Sequence, residues 1–321
     1  MNPDNLLTLD DIRAAARRVS PISRVTPLLD VSAAAGRPLF LKCENLQPGG
    51  AFKIRGAYNM IAQLTVDERR RGVVTFSSGN HGQAMALAAR ELGAPALVVM
   101  PTTAPQIKVD GARGFGAEVM FAGTTSTERR ERAEAEAQAR GWTVVPPFDH
   151  EWIMAGQGTA GLEILEQLPE VATVIVPIGG GGLAAGVSAA VKLSRPDVKV
   201  IGVEPAGAAA MKASIEAGHP VTLDRTHSVA DGLMAVRPGD LTFAHVRRFV
   251  DEIVTVEDEQ IIDAVLWLQA TAQIVAEPSG AASVAAALAG AAPMNGPTVA
   301  IVSGGNVSME TLEEFRRAAN R

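Results

Sequence analysis

The sequence has little of several residue types that particular protein classes need. It holds a single cysteine, Cys43, so no intrachain disulfide, cysteine-ligated iron–sulfur cluster or multi-cysteine zinc site can form within one chain. It also lacks a run of the roughly 20 apolar residues that a membrane span needs. The N-terminus shows neither the basic nor the apolar region of a secretory signal. We therefore expect a cytoplasmic protein in a reducing compartment, with no membrane partner.

Positively charged residues are fewer than negatively charged ones. The 321 residues carry 29 Lys+Arg against 35 Asp+Glu, a formal net charge of -6, and the cations form no dense stripe. Binding to a nucleic-acid backbone depends on clustered cations, so we expect no nucleic-acid partner. The chain is rich instead in hydrophobic residues, at 47%, and in glycine, with 31 residues. This composition is typical of well-buried α/β proteins rather than of disordered chains.

Short apolar runs alternate with amphipathic stretches along the chain. Most of the runs are followed by a helical pattern, which predicts parallel sheets wrapped by helices. Near-continuous Val and Ile in two of the runs, 173–177 and 198–203, indicates strands that are buried on both faces. The predicted strands cover residues 73–76, 96–100, 118–121, 143–145, 173–177, 198–203, 253–256 and 298–302.

Four consecutive glycines follow the strand predicted at 173–177 and precede a helix predicted from about Leu183 to Leu193. Without Cβ atoms, backbone N–H groups can approach an anion closely, and a helix N-terminus adds positive partial charge at the same point. The pattern therefore predicts a phosphate-binding loop, made of Gly179, Gly180, Gly181 and Gly182. The same loop matches the dinucleotide fingerprint as Gly180-x-Gly182-x-x-Ala185, with Glu204 ending the next strand. An NAD-dependent oxidoreductase is therefore an alternative interpretation.

Three further clusters accompany the glycine loop. They are Phe52-Lys53-Ile-Arg-Gly56 within residues 44–57, Ser77-Ser-Gly-Asn-His-Gly-Gln83, and Ile301-Val-Ser-Gly-Gly-Asn306. In this order, and over nearly the whole chain, the four motifs resemble the fold-type II pyridoxal-phosphate enzymes. The resemblance implies a pyridoxal 5'-phosphate cofactor and a two-domain α/β architecture of the tryptophan synthase β type, with open, mostly parallel sheets wrapped by helices. We expect a large cofactor-binding domain at 1–62 and 151–321, and a small domain at 72–147 that closes over the active site.

Within that superfamily the chain is similar to the threonine/serine dehydratases and serine racemases. The similarity rests on the Phe52-Lys53-Ile-Arg-Gly56 and Ser77–Gln83 motifs and on Ala276-Glu-Pro-Ser-Gly280. It implies an ammonia-lyase that dehydrates a β-hydroxy-α-amino acid, by default L-threonine or L-serine, to a 2-oxo acid and ammonia. The alternative within the family is a serine racemase. A homodimer or higher homo-oligomer is expected.

The resemblance also assigns roles around the cofactor. Lys53 resembles the Schiff-base lysine, and an amine beside the apolar Phe52 can lose its proton when it is desolvated. Phe52 is expected to pack against the pyridine ring, and Asn80 to hold the phenolic oxygen of the cofactor. Ser303 resembles the residue that faces the pyridine nitrogen, and Glu277 is expected nearby.

A loop between a strand and a helix N-terminus is expected to receive the substrate carboxylate. In a racemase, Ser78 would also deliver a proton to the opposite face of Cα. The loop residues are Ser77, Ser78, Gly79, Asn80, His81 and Gln83.

Some positions depart from the family pattern. Glu204 stands where related enzymes place a ligand to a divalent cation, but Ala210 replaces a second acid, so we expect no tight metal site. Ala51 replaces a common serine, and Pro146-Pro-Phe-Asp-His150 replaces a common His-Pro-Phe-Asp-Asp run. These departures indicate either a changed pocket for the substrate β-substituent or changes with no effect on it.

Overall fold

The computed structural model describes residues 6–77, 79–104 and 106–319. Its ten strands are β1 (Leu28–Asp30), β2 (Leu39–Lys42), β3 (Val73–Phe76), β4 (Ala96–Met100), β5 (Glu118–Phe121), β6 (Thr143–Val144), β7 (Thr173–Pro177), β8 (Lys199–Pro205), β9 (Glu252–Val256) and β10 (Thr298–Ile301).

The helices surround these strands. They are α1 (Leu9–Val19), α2 (Ser32–Ala35), α3 (Lys53–Gln63), α4 (Val66–Arg71), α5 (Asn80–Glu91), α6 (Gln106–Gly114), α7 (Ser126–Arg140), α8 (Glu151–Gln167), α9 (Gly182–Ser194), α10 (Ala210–Ala217), α11 (Asp240–Phe249), α12 (Asp258–Trp267), α13 (Pro278–Leu288) and α14 (Met309–Ala319). A short 3-10 turn at Asp231–Leu233 is called the 231–233 turn below. None of the helices in the described residues is both long and apolar enough to cross a membrane.

The strands form two sheets. The larger has six strands in the order β1-β2-β10-β7-β8-β9, and the smaller has four in the order β5-β4-β3-β6. Every pair is parallel except β1 with β2. Strands β4, β7 and β10 are buried at every position, as their continuous apolar runs predict. The predicted α/β class with parallel sheets and helical layers is therefore confirmed.

The sequence analysis missed β1 and β2. Each is short, and β2 is defined by its register with β10, in which Leu39 lies opposite Thr298 and Lys42 opposite Ile301. A pairing between segments so far apart along the chain leaves no local pattern. Strand β8 also differs from its prediction, since it runs to Pro205 rather than ending at Val203.

Helix α3 lies against α5 of the smaller sheet's layer and against α8. Its apolar residues, among them Ile54 and Ile61, pack in one cluster with Met85 of α5 and Val98 of β4. Its other face meets α8 so closely that a Cβ on Gly156 would lie 2.6 Å from the carbonyl oxygen of Arg55. The helix is therefore held between the two sheets, and its first residue is Lys53.

A buried ion network fixes α3 from behind. Arg55 donates to Glu44 at 2.7 Å and to Glu163 at 2.7 Å, and Lys42 donates to Glu163 at 2.6 Å. Two cations thus face two carboxylates. Burial alone would raise the pKa of Glu44, but Arg55 outweighs it and holds that pKa below its usual range. Removing one partner of such a pair leaves an uncompensated buried charge, which typically costs about 3–5 kcal/mol.

Candidate active site

Lys53 begins α3, and its side chain is partly buried. The amine donates a hydrogen bond to the carbonyl oxygen of Pro147 at 2.7 Å and lies 5.1 Å from the centroid of the Phe52 ring. Burial lowers the pKa of Lys53 to about 8. A neutral carbonyl offsets this loss of hydration less than a carboxylate would, so the amine can lose its proton near neutral pH and act as a nucleophile or base.

The backbone beside Lys53 is tied to the segment that carries Ser303. The N–H of Phe52 donates to the carbonyl oxygen of Ser303 at 3.1 Å, and Ala51 pairs with Gly304 in an isolated antiparallel bridge. Ser303 is buried, and its hydroxyl donates to the carbonyl oxygen of Ser279 at 3.3 Å. The structure therefore brings close together the segments of the predicted Schiff-base lysine and of the hydroxyl predicted to face the pyridine nitrogen.

The glycine loop begins just after β7 and ends in α9. Gly181 has φ of 97°, in the left-handed region that favours glycine, and it caps α9, which starts at Gly182. A Cβ on Gly180 would lie 2.2 Å from the Phe148 ring, and one on Gly179 would lie 3.0 Å from the carbonyl oxygen of Gly232. The loop thus lies at a helix N-terminus and is packed too tightly for side chains. The N–H groups at such a terminus can bind an anion.

Asn80, Glu277 and Asn306 form a chain of hydrogen bonds. The amide of Asn80 donates to Glu277 at 2.5 Å, and the amide of Asn306 donates both to Asn80 and to the carbonyl oxygen of Gly49, at 2.8 Å each. Burial raises the pKa of Glu277 to about 8, and the charge of Asp231 acts in the same direction. Asn306 lay within a motif of the sequence analysis but was given no role there.

The loop predicted to receive the substrate carboxylate leads into α5. Ser78 lies outside the described residues, whereas the hydroxyl of Ser77 accepts from the N–H of Gly79 at 3.2 Å. His81 is buried, and its Nε2 lies 3.0 Å from the carbonyl oxygen of Val145. Because that oxygen can only accept, we assign the ring proton to Nε2. Burial, followed by the charge of Lys53, lowers the pKa of His81 to about 3, so the ring is neutral.

The connection between β6 and α8 carries several site contacts that the sequence analysis missed. Main-chain carbonyls have no side-chain signature, but the consecutive prolines Pro146 and Pro147 were a usable signal, because they restrict the backbone here. The carbonyl oxygen of Val145 accepts hydrogen bonds from Thr75 and His81, and that of Pro147 accepts one from Lys53. The ring of Phe148 packs on Gly180. Asp149 and His150 then accept N–H groups at the starts of α11 and α8.

Glu204 is bonded to backbone groups at the start of a helix. It is fully buried, and its two oxygens accept the N–H groups of Met211 and Lys212 at 2.8 Å each, in the first turn of α10. Burial raises its pKa to about 7. Among the described residues, no three His, Cys, Asp or Glu side chains are grouped so that they could hold a metal ion. The contacts of Glu204 fit a helix cap.

The site combines a desolvated lysine amine with an anion cradle at a helix N-terminus. These features fit a phosphorylated aldehyde cofactor, because the amine can bond to the aldehyde while the loop binds the phosphate. They define the class of cofactor-dependent enzymes in which a lysine holds the cofactor.

Comparison with known proteins identifies the family within that class. The family model described as Pyridoxal-phosphate dependent enzyme matches residues 19–304, and the chain belongs to this family. The match decides between the two interpretations of the glycine loop, in favour of pyridoxal phosphate over NAD.

Relatives of known activity match nearly the whole chain. An L-threonine ammonia-lyase of Thermotoga maritima is 45% identical over 314 residues, which are 97% of this chain and 78% of that protein. A serine racemase of Schizosaccharomyces pombe is 39% identical over 318 residues, covering 97% of this chain and 98% of the other. The structure of maize serine racemase superposes with a TM-score of 0.93 at 38% identity, covering 98% of each chain. The resemblance drawn from the motifs is thus confirmed.

Proposed function

We propose that this enzyme is an ammonia-lyase that dehydrates a β-hydroxy-α-amino acid, L-threonine or L-serine by default, to a 2-oxo acid and ammonia. The observation that carries the proposal is the Lys53 amine, which has a lowered pKa, is bonded to the neutral carbonyl of Pro147, and is joined through the adjacent Phe148 to the glycine loop. The relatives named as threonine ammonia-lyases and threonine dehydratases support the choice of reaction and substrate.

Lys53 is the proposed base at Cα. When bound, pyridoxal phosphate supplies an electron sink that makes the Cα–H bond of an attached amino acid acidic. The Pro147 carbonyl holds one N–H of Lys53, which directs the amine while its lone pair stays free to accept the Cα proton. The β-hydroxyl group would then take up one proton and leave as water, which balances the proton removed from Cα. The released enamine would tautomerise to an imine, and hydrolysis of that imine gives the 2-oxo acid and ammonia, so the overall change is loss of ammonia.

The remaining assignments follow the placement of the side chains. Gly179, Gly180, Gly181 and Gly182 would hold the phosphate, Phe52 would pack on the ring, and Asn80 would bond the phenolic oxygen. Ser303 would face the ring nitrogen as a neutral group, with Glu277 bonded to Asn80 beside it. The substrate carboxylate would lie at the start of α5, near Ser77, Gly79, Asn80, His81 and Gln83, together with Ser78.

Amino-acid racemisation is the second candidate activity. It is favoured by serine racemases that match this chain over nearly their whole length, such as the maize enzyme at a TM-score of 0.93. Racemisation needs a proton donor on the face of Cα opposite Lys53, and Ser78 is the proposed donor. Both activities begin with the same proton removal, so a single enzyme can perform both.

A substrate panel separates these candidates. The holoenzyme is incubated with L-threonine, L-serine, D-serine and bulkier threo-3-hydroxy amino acids, and 2-oxo acid, ammonia and enantiomer composition are followed together. An ammonia-lyase releases oxo acid in step with ammonia, whereas a racemase exchanges enantiomers faster than it releases ammonia. Better turnover of the bulkier substrates would indicate a pocket changed by Ala51 and the 146–150 departures. No reaction by a holoenzyme with cofactor bound would contradict both candidates.

A homo-oligomer and a cytoplasmic location complete the proposal. Three large apolar side chains are exposed at neighbouring points of the surface, Val25 at 71%, Leu46 at 45% and Val275 at 45%. Asn45, next to Leu46, donates to the carbonyl oxygen of Val275, and Arg24, next to Val25, donates to that of Leu46. Light scattering should therefore give a mass of at least two chains, and a parent protein that stays monomeric at micromolar concentration would contradict this part.

A further inference from the structure

One ion pair links the two sheets across the site. Lys108 on α6, in the layer of the smaller sheet, donates to the carboxylate of Asp231 on the 231–233 turn, which belongs to the larger sheet's side. The lysine side chain is 23% exposed and the aspartate side chain 48%. The pair therefore lies at the edge of the region between the sheets rather than on an open face.

On one side, the ion pair is connected to the predicted carboxylate loop. Lys108 and Gly111 are three residues apart on α6, so they share a face of the helix. At Gly111 the helix lies directly on Gln83, since a Cβ there would be 3.0 Å from the side-chain amide carbon of Gln83. The face of α6 that carries Lys108 thus contacts the first turn of α5 at Gln83.

On the other side, the ion pair is connected to the cofactor cradle. Next to Asp231, the N–H of Gly232 donates to the hydroxyl of Ser279 at 2.8 Å, and the carbonyl oxygen of Gly232 lies against Gly179 of the glycine loop. The charges of Asp231 and Lys108 also act in opposite directions on the pKa of Glu277, so both charges are near that carboxyl group. The 231–233 turn is therefore part of the wall of the cradle.

We propose that the Lys108–Asp231 pair is a latch that holds α6 and the first turn of α5 closed against the 231–233 turn while substrate is bound. Lys108 and Asp231 are positioning residues in this proposal, because they act through Gln83 and Gly179. The latch retains the amino acid and keeps water out during proton transfer. The consequence for catalysis rests on the proposed function, whereas the ion-pair contact between α6 and the 231–233 turn does not.

Amide hydrogen exchange, measured in variants with reversed charges, tests the contact between Lys108 and Asp231. The variants are Lys108→Asp, Asp231→Lys and the double reversal, and the readout is exchange of the α6 amides in the holoenzyme. Each single reversal should speed exchange at residues 106–114 by about twofold to fivefold, which is the range for a partly exposed pair, and the double reversal should restore it. The control reverses Lys212 and Glu216, an exposed pair within α10, and should leave α6 unchanged. Unchanged α6 exchange in both single variants, or no restoration in the double variant, would overturn the latch.

Kinetics tests the consequence for the substrate. With the amino acid that the parent enzyme turns over, each single reversal should raise KM by about twofold to fivefold with a smaller change in kcat, and the double reversal should recover most of the loss. An equal KM in all variants would show that the latch does not retain substrate. If the parent turns over no amino acid, the proposed function fails, and the exchange experiment still decides whether the contact acts as a latch.

Discussion

At the scale of single residues, Lys42 and Lys53 show how a partner decides the use of an amine. Burial lowers the pKa of both, but at Lys42 the carboxylates of Glu163 and Glu44 oppose that shift, and the amine bonds to Glu163 at 2.6 Å. Lys53 has only the neutral carbonyl of Pro147 as its hydrogen-bond acceptor among the described residues. Lys42 thus belongs to the ion network that fixes α3, whereas Lys53 is free to lose its proton.

The lowered pKa of Lys53 predicts a pH dependence for cofactor uptake. Only the neutral amine can attack an aldehyde, so the rate at which the unloaded protein takes up pyridoxal phosphate covalently should rise about tenfold per pH unit below pH 8. Because burial brings the pKa to about 8, the rate should level off above that pH. Stopped-flow absorbance between pH 6 and 10 measures it.

Two variants control the cofactor experiment. Lys53→Ala should show no covalent uptake and no turnover, while Lys212→Met, which removes an exposed lysine, should follow the parent curve. A rate that continues to rise to pH 10 would mean that the amine keeps the pKa of an ordinary exposed lysine, and the desolvation argument would be wrong.

Side chains with a chemical signature could be predicted from the sequence, and main-chain groups could not. Lys53, Asn80 and Ser303 stand in motifs, and the structure places them within one site. The Pro147 carbonyl and the Phe148 ring belong to the site because of the path that the chain takes between β6 and α8. The consecutive prolines Pro146 and Pro147 indicate a restricted backbone, but where the path leads depends on both sheets and is not shown by a local pattern.

At the scale of elements, the glycine loop depends on Phe148 as much as on its own residues. A Cβ on Gly180 would lie 2.2 Å from the Phe148 ring, and a Cβ on Gly182 would lie 2.9 Å from the Phe148 Cβ. Any side chain at Gly180 must therefore displace the ring and, with it, the segment that holds Lys53. The loop and the β6–α8 connection act as one unit.

Gly180→Ala should therefore weaken cofactor binding strongly. We expect the dissociation constant for pyridoxal phosphate to rise at least about tenfold, and the free energy of unfolding to fall by roughly 1–3 kcal/mol from overpacking. Fluorescence titration and urea unfolding measure the two effects. Adding Phe148→Leu should recover part of the stability, because a smaller side chain leaves room for the new methyl group.

The control for this substitution is Gly114→Ala, at a helical position where a Cβ would have no other atom within 4 Å. It should change neither quantity by a comparable amount. If Gly180→Ala binds the cofactor as the parent does, the loop has room for side chains and the enclosed cradle is not needed.

The elements themselves could largely be predicted. Each strand predicted from an apolar run is present, because strands buried on both faces need continuous apolar residues. The π-helix at Leu268–Ala272 was not predicted. It ends at Gln273, whose φ of 55° is left-handed, and it leads towards Glu277. Such irregular turns are fixed by tertiary contacts and leave no periodicity to read.

At the scale of the whole molecule, the site lies where the two sheets meet. Helix α3 carries Lys53 between them, and the β6–α8 connection passes from one sheet to the other. The separate sheets support the proposed division into a large domain at 1–62 and 151–321 and a small one at 72–147. Residues on α3 nevertheless pack in the cluster of the smaller sheet, so the two parts share contacts across the proposed boundary.

Stability of the whole molecule against pH combines shifts of opposite sign. Burial raises the pKa of Glu277 to about 8 and that of Glu204 to about 7. The protonated forms of these two groups favour the folded state, and that contribution to stability is lost as pH rises through those values. Burial lowers the pKa of His81 to about 3 and that of Lys53 to about 8. His81 therefore adds stability only as pH rises to its unfolded value of about 6.5, and Lys53 only above pH 8. Between pH 6.5 and 8, the change in unfolding free energy therefore comes mainly from Glu277.

The unloaded protein should accordingly lose about 2 kcal/mol of unfolding free energy between pH 6.5 and pH 8, at 1.36 kcal/mol per pH unit. Glu277→Gln cannot ionise, yet its side-chain oxygen can still accept from Asn80, so it should remove most of this loss. Urea unfolding at the two pH values measures it, with Glu216→Gln on the exposed face of α10 as control. Asp231→Asn should move the loss to lower pH, because the Asp231 charge helps to raise the pKa of Glu277. An equal loss in the parent and in Glu277→Gln would assign the titration to another group and leave Glu277 ionised beside the cofactor.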